Sequence, residues 1–250
     1  MTEAERPTEQ YAQYVGQIVR DYATMEPDES DTWNPVGSDT ELEYRLSFLF
    51  GLTKCLELCD IPLTQLRVLD IGCGTGRSTR LYIDLGLRPD QLMGLDVRPG
   101  TVALAKRLNP AISFQTYDGR AIGFPSGSFN WIQLGTVFSS IADHGHRAHV
   151  AAQAMAQLRS GGYLCYLDRW RANEFAGGDV LQPEALFAPL RTVWASPLRA
   201  HQCFPTIRHP WLFLRRHRTP LGQLRAWLAF RTRWERLVYP SHYVMLAQKP

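Results

Sequence analysis

The sequence predicts an α/β protein built on a largely parallel sheet with helices on both faces. Three observations predict it. Short strand-like runs recur at 67–72, 92–97, 112–118, 129–135 and 161–168. Helical patterns separate most of these runs, and such alternation builds a parallel sheet covered on both sides. The first run leads into a glycine-rich turn, VLDIGCGTG (68–76), with a helical stretch directly behind it.

The elements follow in order. Tyr11, Tyr14, Val15, Ile18 and Tyr22 fall at helical spacing within 8–23. MEPDESDTWNPVGSD reads as a loop. Asp39 or Thr40 can cap a second helix that runs through Tyr44, Phe48 and Leu52 to about Cys59, before Pro62 stops it. RVLDIG is the first strand, and the helix after it extends to about Leu85. LMGLDV is the second strand, followed by a helix through Val102, Leu104, Ala105 and Leu108. ISFQTYD and FNWIQLG are the third and fourth strands, an Ala-rich helix covers 145–159, and GGYLCYLD is the fifth strand. Beyond Asp168 come a polar loop, a short helix near Pro183–Ala188, a sixth strand at RTVWAS and a last alternating strand at 241–249. Between these last two strands, residues 210–238 hold Trp211, Phe213, Trp227, Phe230 and Trp234 among arginines and read as one or two helices broken at Pro220.

A chain of 250 residues suffices for one such domain with an appendage. Its 45% hydrophobic and 20% charged residues exclude collagen-like, coiled-coil and disulfide-scaffold classes. Cys55, Cys59, Cys73, Cys165 and Cys203 form no CxxC or Cys/His ligand pattern, so no metal site is expected and a reducing compartment is. MTEAERPTEQ lacks the apolar core of a signal peptide, and no apolar run reaches membrane-spanning length. A cytoplasmic location is the expectation.

The net charge of +3 hides an asymmetry. Residues 1–60 carry 13 acids against 4 Lys/Arg, whereas residues 191–250 carry 11 Lys/Arg against Glu235 alone. Such a tail can face phosphates, acidic sugars or a membrane surface, or dock on the acidic N-terminal segment.

The chemistry concentrates at the carboxyl ends of the strands. Gly72, Gly74 and Gly76 let the backbone turn sharply and approach a ligand closely, at the start of a helix whose N–H groups are free. Asp70, two residues before the first glycine, would repel a pyrophosphate and attract a cation. That favours S-adenosylmethionine, with its sulfonium and ammonium, over a dinucleotide. Asp96 ends the second strand, 20 residues after Gly76, where a carboxylate can accept from a ribose diol. Asp118 ends the third, where it can accept from an adenine amino group.

VLDIGCGTG, then LDV, YDG, FPSGSFNWIQLGTVFSSI and MAQLRSGGYLCYLD, resembles the class I S-adenosylmethionine-dependent methyltransferases over about 66–168. A narrower resemblance runs through TVFSSI, Arg147, Asp168, the closing SHYVMLAQKP and N-terminal helices with Arg45. It is to a bacterial group of methyltransferase type 11-like enzymes acting on sugars and other small molecules. The resemblance implies a doubly wound, seven-stranded Rossmann-like sheet of order 3-2-1-4-5-7-6 with the last strand antiparallel. It implies an N-terminal helical cap at 1–61 and a methyltransferase domain at 62–250, in which 170–238 forms a substrate lid. It also implies that Asp70, Gly72 and Gly74 contact the methionine part and Asp96 the ribose, with Val97 flanking the adenine. Asp118 and Gly119 would bind the adenine edge, and Leu134 and Gly135 would line the cofactor. The chain departs from the family at Phe129-Asn130, where the family has Phe-Asp, and after Asp168, where one residue appears inserted.

A hydroxyl nucleophile needs its proton removed. The candidates are Asp168 at the end of strand five and His144, with Asp143 and His146 beside it, of which His144 and Asp168 are preferred, and His242 at the start of the last strand. Asp168 can instead pair with Arg169 or Arg171, and the DHGHR turn can be a helix cap. For 210–238 three readings stand: a lid, a surface for an anionic or lipid-linked acceptor with peripheral membrane contact, or a nucleic-acid contact, against which the lack of any recognisable RNA-binding module speaks. The expected function is methylation of a small molecule, a sugar hydroxyl in a glycan or glycosylated product. The competing expectations are an N- or nucleic-acid methyltransferase, or a cofactor-binding protein without methyl transfer.

Overall fold

The computed structural model describes residues 39–169, 181–198 and 242–250, together with helical positions 13, 16, 19 and 20. The rest of the helix expected at 8–23, the loop before Asp39, and the Arg- and Trp-rich segment at 210–238 lie outside the described residues, as does most of the expected lid.

The chain runs α1 (Asp39–Glu57), β1 (Val68–Ile71), α2 (Arg77–Asp84), β2 (Leu92–Asp96), α3 (Pro99–Leu108), β3 (Ser113–Thr116) and β4 (Phe129–Gly135). It continues through α4 (His144–Gln157), β5 (Leu158–Arg169), the one-turn α5 (Pro183–Leu186), β6 (Arg191–Leu198) and β7 (His242–Gln248). The strands form one seven-stranded sheet in the order β3-β2-β1-β4-β5-β7-β6, the order the resemblance implied. Strands β1 to β5 pair in parallel, and β7 lies antiparallel to both β5 and β6.

Alternation along each strand sends side chains to two cores. Ile71, Ile132, Leu134, Leu164 and Met245 pack on one face against Val150, Ala151 and Ala154 of α4, with Phe187 closing that side. Val68, Trp131, Cys165, Leu167 and Val244 pack on the other against Phe48, Leu52 and Cys55 of α1, Tyr82 of α2 and Ala105 of α3. The α1 helix is thus part of the sheet's own covering layer. Cys55 is buried within it, whereas Cys59 lies beyond its end, half-buried, and accepts the Ile61 N–H. Lys249 Nζ donates to the carbonyls of Met155 and Leu158 at 2.9 and 2.6 Å and so satisfies the end of α4. Among the described residues, no helix is long and apolar enough to cross a membrane.

Candidate active site

The order β2-β1-β4 reverses chain direction across the sheet at β1, and ligands of such sheets bind beyond the carboxyl ends of the strands there. Two loops meet at this point. Gly72 takes φ +73°, and a Cβ on it would lie 2.6 Å from Val137 Cγ2 in the loop after β4, so glycine is required by both backbone and space. Gly74, at φ +57°, has nothing among the described residues within 4 Å of where its Cβ would stand. The loop therefore packs tightly at Gly72 and opens at Gly74. Leu95 C=O accepts from the Gly72 and Cys73 N–H groups at 2.7 and 2.9 Å and fixes the loop to β2.

Asp70 is fully buried at the end of β1. Its Oδ2 accepts from Thr79 Oγ1 at 2.6 Å and Ser78 Oγ at 3.1 Å, both in the first turn of α2. Among the described residues its Oδ1 has no hydrogen-bond partner. Burial pushes this carboxyl up to about 7, the Thr79 and Ser78 donors pull it back, and the neighbouring Asp96 adds to the rise. A buried carboxylate with an unused oxygen is a seat for a cation.

Asp96 closes β2. Its Oδ2 accepts from Gly74 N–H at 2.9 Å, and its Oδ1 accepts from Arg98 N–H at 3.0 Å and pairs with Arg98 Nε at 3.3 Å. Each carboxylate oxygen has two acceptor directions, so one ribose hydroxyl can be bound at Oδ2 beside Gly74, and a second requires Arg98 Nε to give up its place on Oδ1. Of the two carboxylates, Asp96 is bonded to the Gly74 backbone, and Asp70 lies close enough to Asp96 for the two charges to be felt by each other. Val97 is half-buried beside them.

The other expected contacts are placed as follows. β3 ends at Thr116, two residues before Asp118, because Tyr117-Asp118-Gly119 turns the chain. Asp118 is exposed, and its Oδ1 accepts from the N–H groups of Arg120 and Ala121 at 2.9 and 3.4 Å. Gly119 is buried at φ +76°. The Leu134 side chain points into the α4-side core, so only its backbone faces the crevice. Gly135 lies beneath α1, where an added Cβ would come within 2.9 Å of Phe48 Cε2. Asn130 marks the departure from the family's Phe-Asp. It stands at the amino end of β4, away from the crevice, where its Oδ1 accepts from Arg67 N–H at 2.6 Å and its Nδ2 donates to Gln65 C=O at 2.8 Å. An aspartate could not make both bonds, which accounts for the amide.

The candidate bases differ in their surroundings. Arg171, one pairing expected for Asp168, lies outside the described residues, and Asp168 is fully buried. Its Oδ2 accepts from the N–H groups of Phe138 and Ser139 at 2.8 and 3.2 Å, and its Oδ1 from its neighbour's, Arg169 N–H, at 2.7 Å. Burial pushes it up to about 6 against those donors. His144 is exposed at the first position of α4, and Asp143 is the cap, accepting His146 N–H at 2.6 Å. His242 is buried at the start of β7, opposite Arg169. Burial, then the charge of Arg169, lowers it to about 4, so its imidazole is neutral at pH 7. Among the described residues, no group of three His, Cys, Asp or Glu could hold a metal ion.

Two features escaped the sequence reading. Thr136, just past β4, takes φ +55°, a strained value for a β-branched residue, and its N–H donates to Leu167 C=O at 2.9 Å. Trp131, Tyr82 and Gln133 form a buried hydrogen-bonded chain beside Asp70. A polar residue in the middle of an apolar strand, as Gln133 is, was the available signal for the second.

Residues 68–162 match the model of a family described as a methyltransferase domain. Phthiotriol/phenolphthiotriol dimycocerosates methyltransferase 1 of Mycobacterium ulcerans is 31% identical over 120 residues, 46% of this chain and 42% of that protein. Demethylmenaquinone methyltransferase of Renibacterium salmoninarum is 29% identical over 132 residues, 53% of this chain and 48% of that protein. The matches therefore span less than half the length of these curated relatives. A solved S-adenosylmethionine dependent methyltransferase from Mesorhizobium loti shares the fold, with a TM-score of 0.53 at 16% identity over 76% of this chain and 94% of that one. The chain is thus similar in sequence to methyltransferase domains and shares the fold of a solved methyltransferase, and S-adenosylmethionine is the cofactor that such a domain implies. The residues present fit it: Asp70 Oδ1 is an unused buried acceptor suited to an ammonium, and Gly74 leaves open space beside the Asp96 carboxylate.

Proposed function

We propose that this protein transfers a methyl group from S-adenosylmethionine to a hydroxyl of a small-molecule acceptor. The observation that carries the reading is the pair of buried carboxylates toward the carboxyl ends of β1 and β2, Asp70 with an unused oxygen and Asp96 bonded to the Gly74 N–H. Asp70 would hold the ammonium and Asp96 the ribose hydroxyls, with Val97, Asp118 and Gly119 toward the adenine and the Leu134–Gly135 backbone along the opposite wall. The cofactor supplies a methyl group already activated on a sulfonium, so the protein's work is to position the acceptor and accept its proton. Among the candidates, His242 is the base we favour for its place, at the start of β7 opposite the end of β5; it is unprotonated at pH 7, but burial and the Arg169 charge make it a weak base until the bound acceptor changes those surroundings. Asp168 has both oxygens engaged by backbone N–H groups and acts as an anchor.

The acceptor we propose from the narrower resemblance is a sugar hydroxyl in a glycan or glycosylated product, free or lipid-linked. A second reading has support of its own: the relatives are named for phthiotriol dimycocerosates and demethylmenaquinone, not for sugars. The test is transfer of labelled methyl from S-adenosylmethionine into an extract of the source cells, separated into organic-soluble and aqueous fractions. Label in material that releases a methylated sugar on hydrolysis supports the first reading. Label in an organic-soluble product without sugar supports the second. Cofactor binding with no transfer into either fraction sinks the methyltransferase assignment and leaves a binding protein.

A further inference from the structure

Asp70 and Gln133 occupy paired positions on the adjacent parallel strands β1 and β4, and both are fully buried. Helix α2 supplies a donor to each from positions one turn apart: Thr79 Oγ1 donates to Asp70 Oδ2 at 2.6 Å, and the Tyr82 hydroxyl donates to Gln133 Oε1 at 2.6 Å. The direction of the second bond is fixed from below. The indole N–H of Trp131 can only donate, and it donates to the Tyr82 oxygen at 2.6 Å. The Tyr82 hydrogen is then directed at Gln133, which must present its carbonyl oxygen. The amide nitrogen therefore takes the other side. It lies 3.8 Å from where a Cβ on Gly135 would stand, toward the carboxyl end of β4. The outcome is a buried donor without a partner, Gln133 Nε2, on the strand next to a buried acceptor without a partner, Asp70 Oδ1. Unsatisfied buried groups are costly singly, and here two complementary ones stand on neighbouring strands.

We propose that Gln133 is a positioning residue for the cofactor, holding Asp70 charged and aimed through one ordered water that accepts from Gln133 Nε2 and donates to Asp70 Oδ1. The inference rests on the S-adenosylmethionine reading above. Such a water keeps one lone pair, which can accept from the ammonium of the cofactor's amino-acid end. The donor matters because burial alone favours the neutral carboxyl at Asp70. Trp131 and Tyr82 act at one remove, by fixing which end of the amide faces the site.

The experiment is calorimetric binding of S-adenosylhomocysteine and of 5′-methylthioadenosine, which lacks the amino-acid end, to the wild type, Gln133→Met and Tyr82→Phe from pH 6 to 8.5. Gln133→Met should bind S-adenosylhomocysteine about tenfold more weakly at pH 7, the loss of one hydrogen bond to a charged group. The midpoint of its pH dependence should move upward, because Asp70 has lost a donor. 5′-Methylthioadenosine affinity should not change. Equal weakening of both ligands, or an unmoved midpoint, overturns the proposal. If Gln133→Met does not fold, Tyr82→Phe decides: it frees the amide to turn and should shift the midpoint the same way by less, and no shift overturns the proposal. A wild type that binds neither ligand overturns the cofactor reading itself and this inference with it, whereas failure of the variants alone leaves that reading standing.

Discussion

Asp168 Oδ2, near the end of β5, accepts the backbone N–H of Phe138 at 2.8 Å, joining two points 30 residues apart in the chain. Ser139 N–H joins the same oxygen at 3.2 Å, so one carboxylate holds the turn that follows β4. That turn carries Val137, whose side chain sits against Gly72. The anchor at β5 thereby sets the spacing of both loops at the crevice.

An anchor and a base respond differently to amide replacement. Asp168→Ala strands two buried N–H groups, at about 1–3 kcal/mol each, and should lower Tm and activity together. Asp168→Asn keeps an acceptor oxygen and should recover most of both. If Asp168 were the base, Asn would cost about 10²–10⁴-fold in kcat at nearly unchanged Tm. Thermal melts beside kcat for the two variants separate these outcomes.

Asp70 makes stability fall as pH rises. An unfolded aspartate titrates near 4, and Asp70 in the fold titrates at about 7. Between those values the folded state keeps a proton that the unfolded state has released, so the slope of stability against pH is negative there. Above about 7 the loss is complete, a few kcal/mol at about 1.4 kcal/mol per pKa unit. Asp70→Asn removes this loss. Its Tm without cofactor should exceed the wild type's at pH 8, with the gap closing toward pH 5, while S-adenosylhomocysteine binding is largely lost. Parallel melting curves at all pH values would show that Asp70 is not a buried charge in the folded protein.

Much of this was legible from residues alone. FNWIQLG gave the bounds of β4, and VLDIGCGTG placed the glycine loop between a strand and a helix. Strand order came from the resemblance, since spacing alone does not say which strand neighbours which. The place of Asn130 was not legible, because sequence marks a residue on a strand more readily than the end of the sheet where it falls. Parallel direction puts the start of β4 opposite the crevice. The role of Asp168 was hidden because its donors are backbone groups near residue 138, which carry no residue-type signal. The Trp131–Tyr82–Gln133 chain joins three residues that each look like ordinary strand or helix positions.

Asp96 offers the direct test of the ribose contact. Asp96→Ala should weaken S-adenosylhomocysteine binding by roughly 1.5–3 kcal/mol through loss of charge-assisted bonds. It also frees the Gly74 N–H and Arg98, so Asp96→Asn, which keeps an acceptor for Gly74, serves as the milder variant. Unchanged affinity in a folded Asp96→Ala protein would remove this carboxylate from the cofactor site.

The choice among the histidines is a kinetic question. His242→Gln should lower kcat by about 10²–10⁴-fold, the usual reach of a positioned general base, with S-adenosylhomocysteine affinity unchanged. His144→Ala, at an exposed helix start, should alter kcat much less. The reverse ranking would move the base to the α4 side of the crevice and return His242 to a packing role.

Thr136 supplies the last prediction. Its φ of +55° is a conformation that a β-branched residue adopts only under constraint, at a cost on the order of 1–3 kcal/mol. The constraint is visible on both sides: Thr136 N–H is tied to Leu167 C=O at 2.9 Å, and the turn just after it is tied to Asp168. The Thr136 hydroxyl also donates to Gly135 C=O at 2.8 Å, occupying the carbonyl at the very end of β4. Thr136→Gly adopts the same backbone without strain but gives up that hydroxyl. Its Tm should stay level or rise, because relief of strain offsets the extra freedom of glycine in the unfolded chain. If the held geometry serves methyl transfer, kcat should fall while cofactor affinity stays within about twofold. A variant with both Tm and kcat raised would show that the strain is incidental to catalysis, and one with a lower Tm would show that the hydroxyl bond, rather than the backbone, governs this turn.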